Sequence, residues 1–223
     1  MIFSFLLKGN FAHFKQHLSF KTRTTYIAPL KTELIGLLLN IIGEYRKYTD
    51  TINEYIDKVE TGVFIKKIGG LVLDSVNLRK MPKDLSKIDR VRAFYKMEIL
   101  HNVEYIIFYK IRDKLLEEKL LYTLKDGYKG VPFLGISDFI AELIPIDIEV
   151  KETYSNIIHN SYIQEDMIKN IYPEENAIIR NQKVLFNSIK RFVFFYKVKA
   201  ELKENLKVFE FKLENEERRV PVF

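Results

Sequence analysis

Residues 91–124 read VRAFYKMEILHNVEYIIFYKIRDKLLEEKLLYTL, and this stretch decides the fold. Val91, Ala93, Tyr95, Met97 and Ile99 alternate before Asn102, and Val103, Tyr105, Ile107 and Tyr109 alternate after it. Strict period-two spacing on either side of an Asn predicts two strands joined by a turn. From Ile111 the period changes: Leu115, Leu116, Leu120 and Leu121 among charged residues predict an amphipathic helix to Leu124. A strand pair followed directly by a helix needs a strand before it and another after it to complete a sheet, and both are present.

Upstream, Phe3, Phe5 and Leu7 alternate with Ser4 and Lys8, a half-buried strand over residues 2–8. A polar loop is expected from Gly9 to Tyr26. Pro29 then opens a helix whose Leu30, Leu34, Leu37, Leu38, Ile41 and Ile42 share a face and which stops at Gly43. Residues 44–61 are polar and Tyr-rich, a second short helix. Val63 to Val76, interrupted by Gly69-Gly70, predicts a bulged strand or a tight hairpin. After the loop carrying Gly127, Gly130, Pro132 and Gly135, a strand is expected around Ile144 to Val150.

The order is strand, helix, strand, strand, helix, strand. That predicts an α+β protein built on a ferredoxin-like (RRM-like) βαββαβ unit over residues 1–150. Residues 151–223 give alternating runs at Val184 to Val198 and Lys207 to Leu213, a β-rich C-terminal extension. No Ser/Gly linker separates the two parts, so they are expected to share a core.

The chain has 223 residues, 47% hydrophobic and 30% charged, a globular composition. It has no cysteine, which excludes disulfides, thiolate catalysis, iron–sulfur clusters and Cys-type zinc sites. The apolar start, Met1 to Leu7, lacks a basic flank and is cut short by Lys8; the longest apolar stretch, Leu34 to Ile42, is far below the ~20 residues of a membrane span. A soluble, cytoplasmic protein without membrane contact is the expectation.

Net charge is +6, and it is concentrated. Between Met1 and Thr32 lie Lys8, Lys15, Lys21, Arg23 and Lys31 with no acidic residue, interleaved with His13, His17, Phe11, Phe14, Phe20 and Tyr26. Cations match phosphates, and flat rings match unstacked bases, so this loop is a candidate RNA clamp. The alternative is a solvated basic loop whose aromatic rings are buried in the core. From Asn77 to Lys96, Arg79, Lys80, Lys83, Lys87, Arg90, Arg92 and Lys96 face only Asp84 and Asp89, a second basic patch that is either a clamp or a solvated loop. His13 and His17 have the i, i+4 spacing of a metal pair, but their neighbours do not favour a helix and supply no carboxylate. No metal or other cofactor is expected, and no P-loop or GxGxxG is present.

Lys8 to Gly43, KGNFAHFKQHLSFKTRTTYIAPLKTELIGLLLNIIG, resembles the opening of the CRISPR-associated protein 5 family of the RAMP superfamily. The family's Gly-x-x-Ala-x-Phe-(Arg/Lys) run falls on Gly9, Ala12, Phe14 and Lys15. Its Tyr-x-x-Pro-(Pro/Leu)-(Arg/Lys)-Thr run falls on Tyr26, Pro29, Leu30, Lys31 and Thr32, followed by an apolar helix with an internal glycine at Gly36. RAFYKMEILHNVEYIIFYK is similar to the family's strand pair with its Glu-x-Leu turn at Glu98 and Leu100. VPFLGISDFIAEL is similar to its Pro-x-Leu-Gly-x-Ser-(Glu/Asp)-Phe loop, at Pro132, Leu134, Gly135, Ser137, Asp138 and Phe139. The three motifs occur in order over most of the first 145 residues; the C-terminal part matches only in ending on a β pair.

The resemblance implies a non-enzymatic subunit of a type I CRISPR effector complex (Cascade, I-B-like) in antiviral defence. Such a subunit holds the 5′ handle of crRNA, caps the backbone-subunit filament, docks the large subunit and meets target DNA through the complex. On that reading His13, Lys15, Lys21, Arg23, Tyr26 and Lys31 meet the handle, with Arg79, Lys80 and Arg90 as a second clamp or a subunit contact. A related subtype cleaves the crRNA precursor with a Tyr and a neighbouring Lys-His pair. Tyr26 stands at the Tyr position, but no Lys-His pair exists here and His101 is a poor substitute. Metal-independent endoribonuclease activity is therefore the runner-up, and a purely protein-contacting scaffold the third reading.

Overall fold

The computed structural model describes residues 1–16, 22–44, 48–79, 92–185 and 189–223. The described elements are β1 (Ile2–Ala12), β2 (Phe14–Lys15), β3 (Thr22–Arg23), β4 (Thr25–Tyr26), α1 (Lys31–Ile42), α2 (Tyr48–Tyr55), β5 (Val59–Arg79), β6 (Arg92–Ile111), α3 (Lys114–Asp126), β7 (Glu142–Pro145), β8 (Val150–His159), β9 (Tyr162–Gln164), β10 (Ile168–Leu185), β11 (Ile189–Leu213) and β12 (Glu216–Pro221). A 3-10 turn, Glu165–Met167, precedes β10. The protein is mixed α+β and strand-rich.

In the first sheet the short strand β7 and the long strands β1, β6 and β5 lie in the order β7-β1-β6-β5, with every neighbouring pair antiparallel. β3 adds a short parallel pair on β6 at Lys96 and Met97. α1 follows β1 and α3 follows β6. α1 starts at Leu30, whose N–H donates to Glu33 Oε2 at 2.7 Å, and ends at Gly43 in the left-handed region (φ 81°). Glycine adopts that cap without the Cβ penalty. α3 is capped by Asp113, whose carboxylate accepts from Leu116 N–H at 3.1 Å.

Several sequence expectations change here. Asn102 makes no turn: β6 runs unbroken from Arg92 to Ile111, and Asn102 is a single left-handed residue (φ 50°) within it. Neighbouring strands override the local signal, because β1 pairs both sides of the kink, Gly9 with Val103 and Phe11 with His101. Gly69 of β5 passes the kink closely; a Cβ there would lie 2.9 Å from Asn102 Cβ and 3.0 Å from His101 O. The Glu98–Leu100 motif is likewise strand, not turn. The described residues of the expected Gly9–Tyr26 loop are largely strand, since β1 extends to Ala12 and β2 pairs with β4 through Phe14–Tyr26 and Lys15–Thr25. The strand expected around Ile144 to Val150 is two elements, β7 and the start of β8. Gly69-Gly70 lies inside one long strand and makes no hairpin, and the irregularity of that strand falls earlier, between Ile65 and Lys67 rather than at the glycines.

The C-terminal strands form a second five-stranded sheet around β11, which pairs with β8, β9, β10 and β12. Both faces of the first sheet are covered. Phe3, Phe5 and Leu7 pack toward α1, while Phe64, Ile106 and Phe108 pack against Phe209 and Phe211 of β11. The strand expected to be half-buried is thus covered on its second face by the C-terminal sheet. Gly62 permits the close approach, since a Cβ there would meet the Phe209 ring at 2.7 Å. The larger core is continuous from β1 and α1 to Tyr162, Phe192 and Phe194.

Candidate nucleic-acid interface

The site lies where the β2–β4 ribbon, the middle of β6 and the end of β10 converge on Glu98. Alternation puts the Glu98 side chain opposite its apolar strand neighbours, and its carboxylate accepts from Thr25 N–H at 3.2 Å. Arg180 NH1 donates to the same carboxylate at 2.9 Å, a half-covered ion pair joining the first sheet to the second. The Glu98 carbonyl accepts from His13 Nδ1 at 2.8 Å. A carbonyl only accepts, so the proton of neutral His13 sits on Nδ1, leaving Nε2 as a buried acceptor with no partner among the described residues. Burial lowers the His13 pKa, and the positive charges of Arg23 and Lys15 lower it further against the help of Glu98.

A second set of bonds ties the ribbon to β10. Tyr26 OH donates to Lys183 O at 2.9 Å, Gln182 Nε2 donates to Thr25 O at 3.0 Å, and Gln16 Nε2 donates to the same oxygen at 3.2 Å. Thr24 Oγ1 donates to Gln16 Oε1 at 2.8 Å. Between these strands an open depression of about 430 Å³ is lined by Gln16, Thr24, Arg180, Asn181, Gln182 and Lys183.

The residues expected to meet RNA separate into groups. Lys15 is exposed on β2 and Arg23 half-buried on β3, and their charges reach His13, so these two share the site. His13 (1% exposed) and Tyr26 (0%) are core residues, and neither ring faces solvent. Tyr26 stacks on Phe194 at 5.2 Å, and burial, followed by the charge of Glu33, pushes its hydroxyl up to about 12. Of the two roles open to it in the sequence, the structure gives Tyr26 the core-tying one. Lys31 is not brought to this edge: burial lowers its pKa, and its charged surroundings are Asp57, Glu60 and Arg112. Lys21, Lys80, Arg90 and the side chain of Arg79 lie outside the described residues.

Sequence reasoning missed Arg180, Gln182 and Lys183. They sit in the extension without a motif, and alternation alone does not say which neighbour a strand end will meet. No cluster of His, Asp or Glu with metal-binding geometry occurs among the described residues. No described helix is long and apolar enough to cross a membrane.

The class that this architecture defines is visible in solved structures. The fold is similar to a chain of a CRISPR RNA-guided surveillance complex, with TM-score 0.53 and 13% identity over 91% of this chain and 90% of that one. It is also similar to a CRISPR protein from Archaeoglobus fulgidus, with TM-score 0.50 and 13% identity over 99% of both chains. At that identity the likeness is one of fold. No family model matches the sequence, and no curated protein matches it.

Proposed function

We propose that this chain is a non-catalytic, RNA-binding subunit of a type I CRISPR effector complex, holding the 5′ handle of crRNA and capping the backbone filament. On this reading residues 1–150 form the ferredoxin-like RAMP unit, the antiparallel β7-β1-β6-β5 order being that of a split βαβ sheet. The observation that carries the proposal is a coincidence of two independent features. The three ordered motifs of the first 145 residues point to the CRISPR-associated protein 5 family, and the near-full-length fold likeness leads to a chain of an RNA-guided complex.

The chemistry supports anchoring rather than cleavage. Breaking RNA without a metal requires a base for the 2′-OH and a donor for the leaving oxygen. Tyr26 is covered, its hydroxyl is committed to Lys183 O, and its pKa moves away from what a base requires. His13 is 1% exposed, so its Nε2 has no access to a substrate hydroxyl. Lys15 and Lys183 are exposed cations that neutralise phosphates, and Arg23 adds positive charge beside Lys15; such contacts fix register and affinity without chemistry.

Expression with the neighbouring genes, purification and sequencing of the retained small RNA tests the assignment. Uniform RNAs sharing one repeat-derived 5′ end are expected; random RNA, or none, overturns it and leaves a protein-contacting scaffold. Repeat RNA incubated with pure protein in EDTA is expected to stay intact, and cleavage would restore the endoribonuclease reading. Lys21→Ala with Arg23→Ala is expected to weaken handle binding and flatten its salt dependence.

A further inference from the structure

We infer that Phe11 of β1 and His101 of β6 form a stacking step for one unpaired base of single-stranded RNA, the base lying beside the His101 ring over Gly70 of β5. The inference rests on the RNA-binding reading above and gives it a base contact that neither basic segment supplies.

Pairing across three strands builds the step. Phe11 lies opposite His101 in the β1–β6 ladder, and Gly70 lies opposite His101 in the β5–β6 ladder, so the three positions form one row. Directly opposed residues of a ladder point to the same side. The Phe11 and His101 rings meet at 5.7 Å between centroids, and the Phe139 ring backs Phe11 at 5.9 Å. Phe139 is held in turn by its N–H on Ile136 O at 3.0 Å and by its carbonyl, which accepts from Leu134 N–H at 2.8 Å. A ring fixed from behind loses little freedom when a ligand arrives.

Both rings are nevertheless open. Phe11 is 46% exposed, and His101 is exposed, with no hydrogen bond to its ring nitrogens among the described residues. At Gly70 a Cβ would meet nothing within 4 Å, so the row ends on open space rather than on a third side chain. Val72, two residues on and therefore on the same side of the strand, is half exposed and walls the far end of that space. A flat ring beside bare backbone suits any base, because every base has a π-face.

The charge nearby suits a phosphodiester. Leu100 and Val103 lie in one core cluster although three residues apart, because left-handed Asn102 displaces the alternation by one residue. The same displacement brings His101 to the side of Glu104. There Glu104 lies opposite Lys8 and Lys67 in the two ladders and accepts an ion pair from Lys66 at 3.0 Å, while Lys8 reaches Glu142 at 2.9 Å. Three part-exposed lysines against two carboxylates leave this row net positive, which a nucleic-acid backbone uses and an apolar protein surface does not. The C-terminal sheet covers this side at Phe64, Ile106 and Phe108, and the exposed rings stand beyond it.

The test uses the full chain and fluorescein-labelled single-stranded RNAs of about eight nucleotides, within the usual span of single-strand sites. His101→Ala and Phe11→Ala are each expected to weaken binding about fivefold or more, the scale of one stacked base. His101→Phe keeps a flat ring and is expected to bind about as well as wild type. Gly70→Val fills the open space, where its Cβ has room, and is expected to weaken binding without loss of fold. Phe11→Ala and Gly70→Val remove no charge, so the salt slope is expected to stay as in wild type. RNA carrying 5-iodouridine is expected to crosslink at Phe11 or His101.

Wild-type affinity in His101→Ala, Phe11→Ala and Gly70→Val, with crosslinks elsewhere, overturns the stack and leaves the proposed function standing. Wild-type chain that binds no RNA overturns the RNA-binding reading and the stack with it. His101→Phe binding as weakly as His101→Ala shows that the imidazole nitrogens matter rather than a ring face, and overturns the stack. Variants that keep RNA affinity but lose partner subunits on co-purification assign the row to a protein contact and overturn it as well. If Phe11→Ala fails to fold, Gly70→Val and the comparison of His101→Ala with His101→Phe still decide.

Discussion

Glu33, half-buried at the start of α1, has opposing demands on its carboxyl. It caps α1 through Leu30 N–H, yet burial raises its pKa to about 8 against that one hydrogen bond. The unfolded chain releases this proton near the ordinary carboxylate value, and the folded chain keeps it until about pH 8. Folding stability attributable to Glu33 therefore falls as pH rises between about 4.5 and 8, by a few kcal/mol at most. Urea melts of wild type and Glu33→Gln are expected to diverge across that window, the variant being the less sensitive to pH. His159 acts in the opposite sense: burial, then the charges of Arg218 and Arg219, lowers its pKa to about 4, so its contribution is lost as pH falls from about 6.5 toward 4. Tyr26→Phe keeps the stack on Phe194 and removes only the bond to Lys183 O, for a loss of about 1 kcal/mol read by the same melts.

Among the elements, β5 approaches β11 closely at Gly62. A methyl group at Gly62 would press on the Phe209 ring, which is itself locked against Phe108. Gly62→Ala is expected to destabilise the fold by about 1–3 kcal/mol in chemical unfolding, whereas Gly70→Ala, which meets nothing within 4 Å, is expected to be nearly neutral. The same scale shows how far the sequence could be read. α1 was legible because Pro29, the i, i+3, i+4 leucines and Gly43 all state one answer. β6 was not, because Asn102 carries a strong local turn signal. Only the pairing of β1 across the kink overrides it.

For the whole molecule, the two sheets are joined by apolar packing and by charge. Glu60 receives Lys207 at 2.9 Å and also pairs with Arg112, and Lys207 reaches Glu152 at 2.8 Å. Burial alone would raise the Glu60 pKa, but the hydrogen bonds from Lys207 and Arg112 outweigh it and leave it lowered. At the chain end, Phe223 exchanges two backbone hydrogen bonds with Thr61 and stacks on Tyr162 at 4.4 Å. With the core continuous across both sheets, calorimetric unfolding is expected to give one transition; two separable transitions would show that residues 151–223 fold alone.

The sequence by itself determined what depends on neighbours along the chain: the alternating and helical periods, the caps of α1, the absence of thiol chemistry and the concentration of positive charge at both basic segments. Tertiary structure alone decided which side chains face each other. His13 and Tyr26 look like loop residues free to stack on bases, but the ribbon folds them inward, where His13 Nδ1 bonds to Glu98 O and Tyr26 OH to Lys183 O. Arg180 and Gln182, anonymous in an extension without motifs, bond to Glu98 and Thr25 of the first sheet and its ribbon, while Lys183 stays exposed. Long-range strand pairing brings positions about 80 and 157 residues apart within hydrogen-bonding distance, and no local pattern encodes such a meeting.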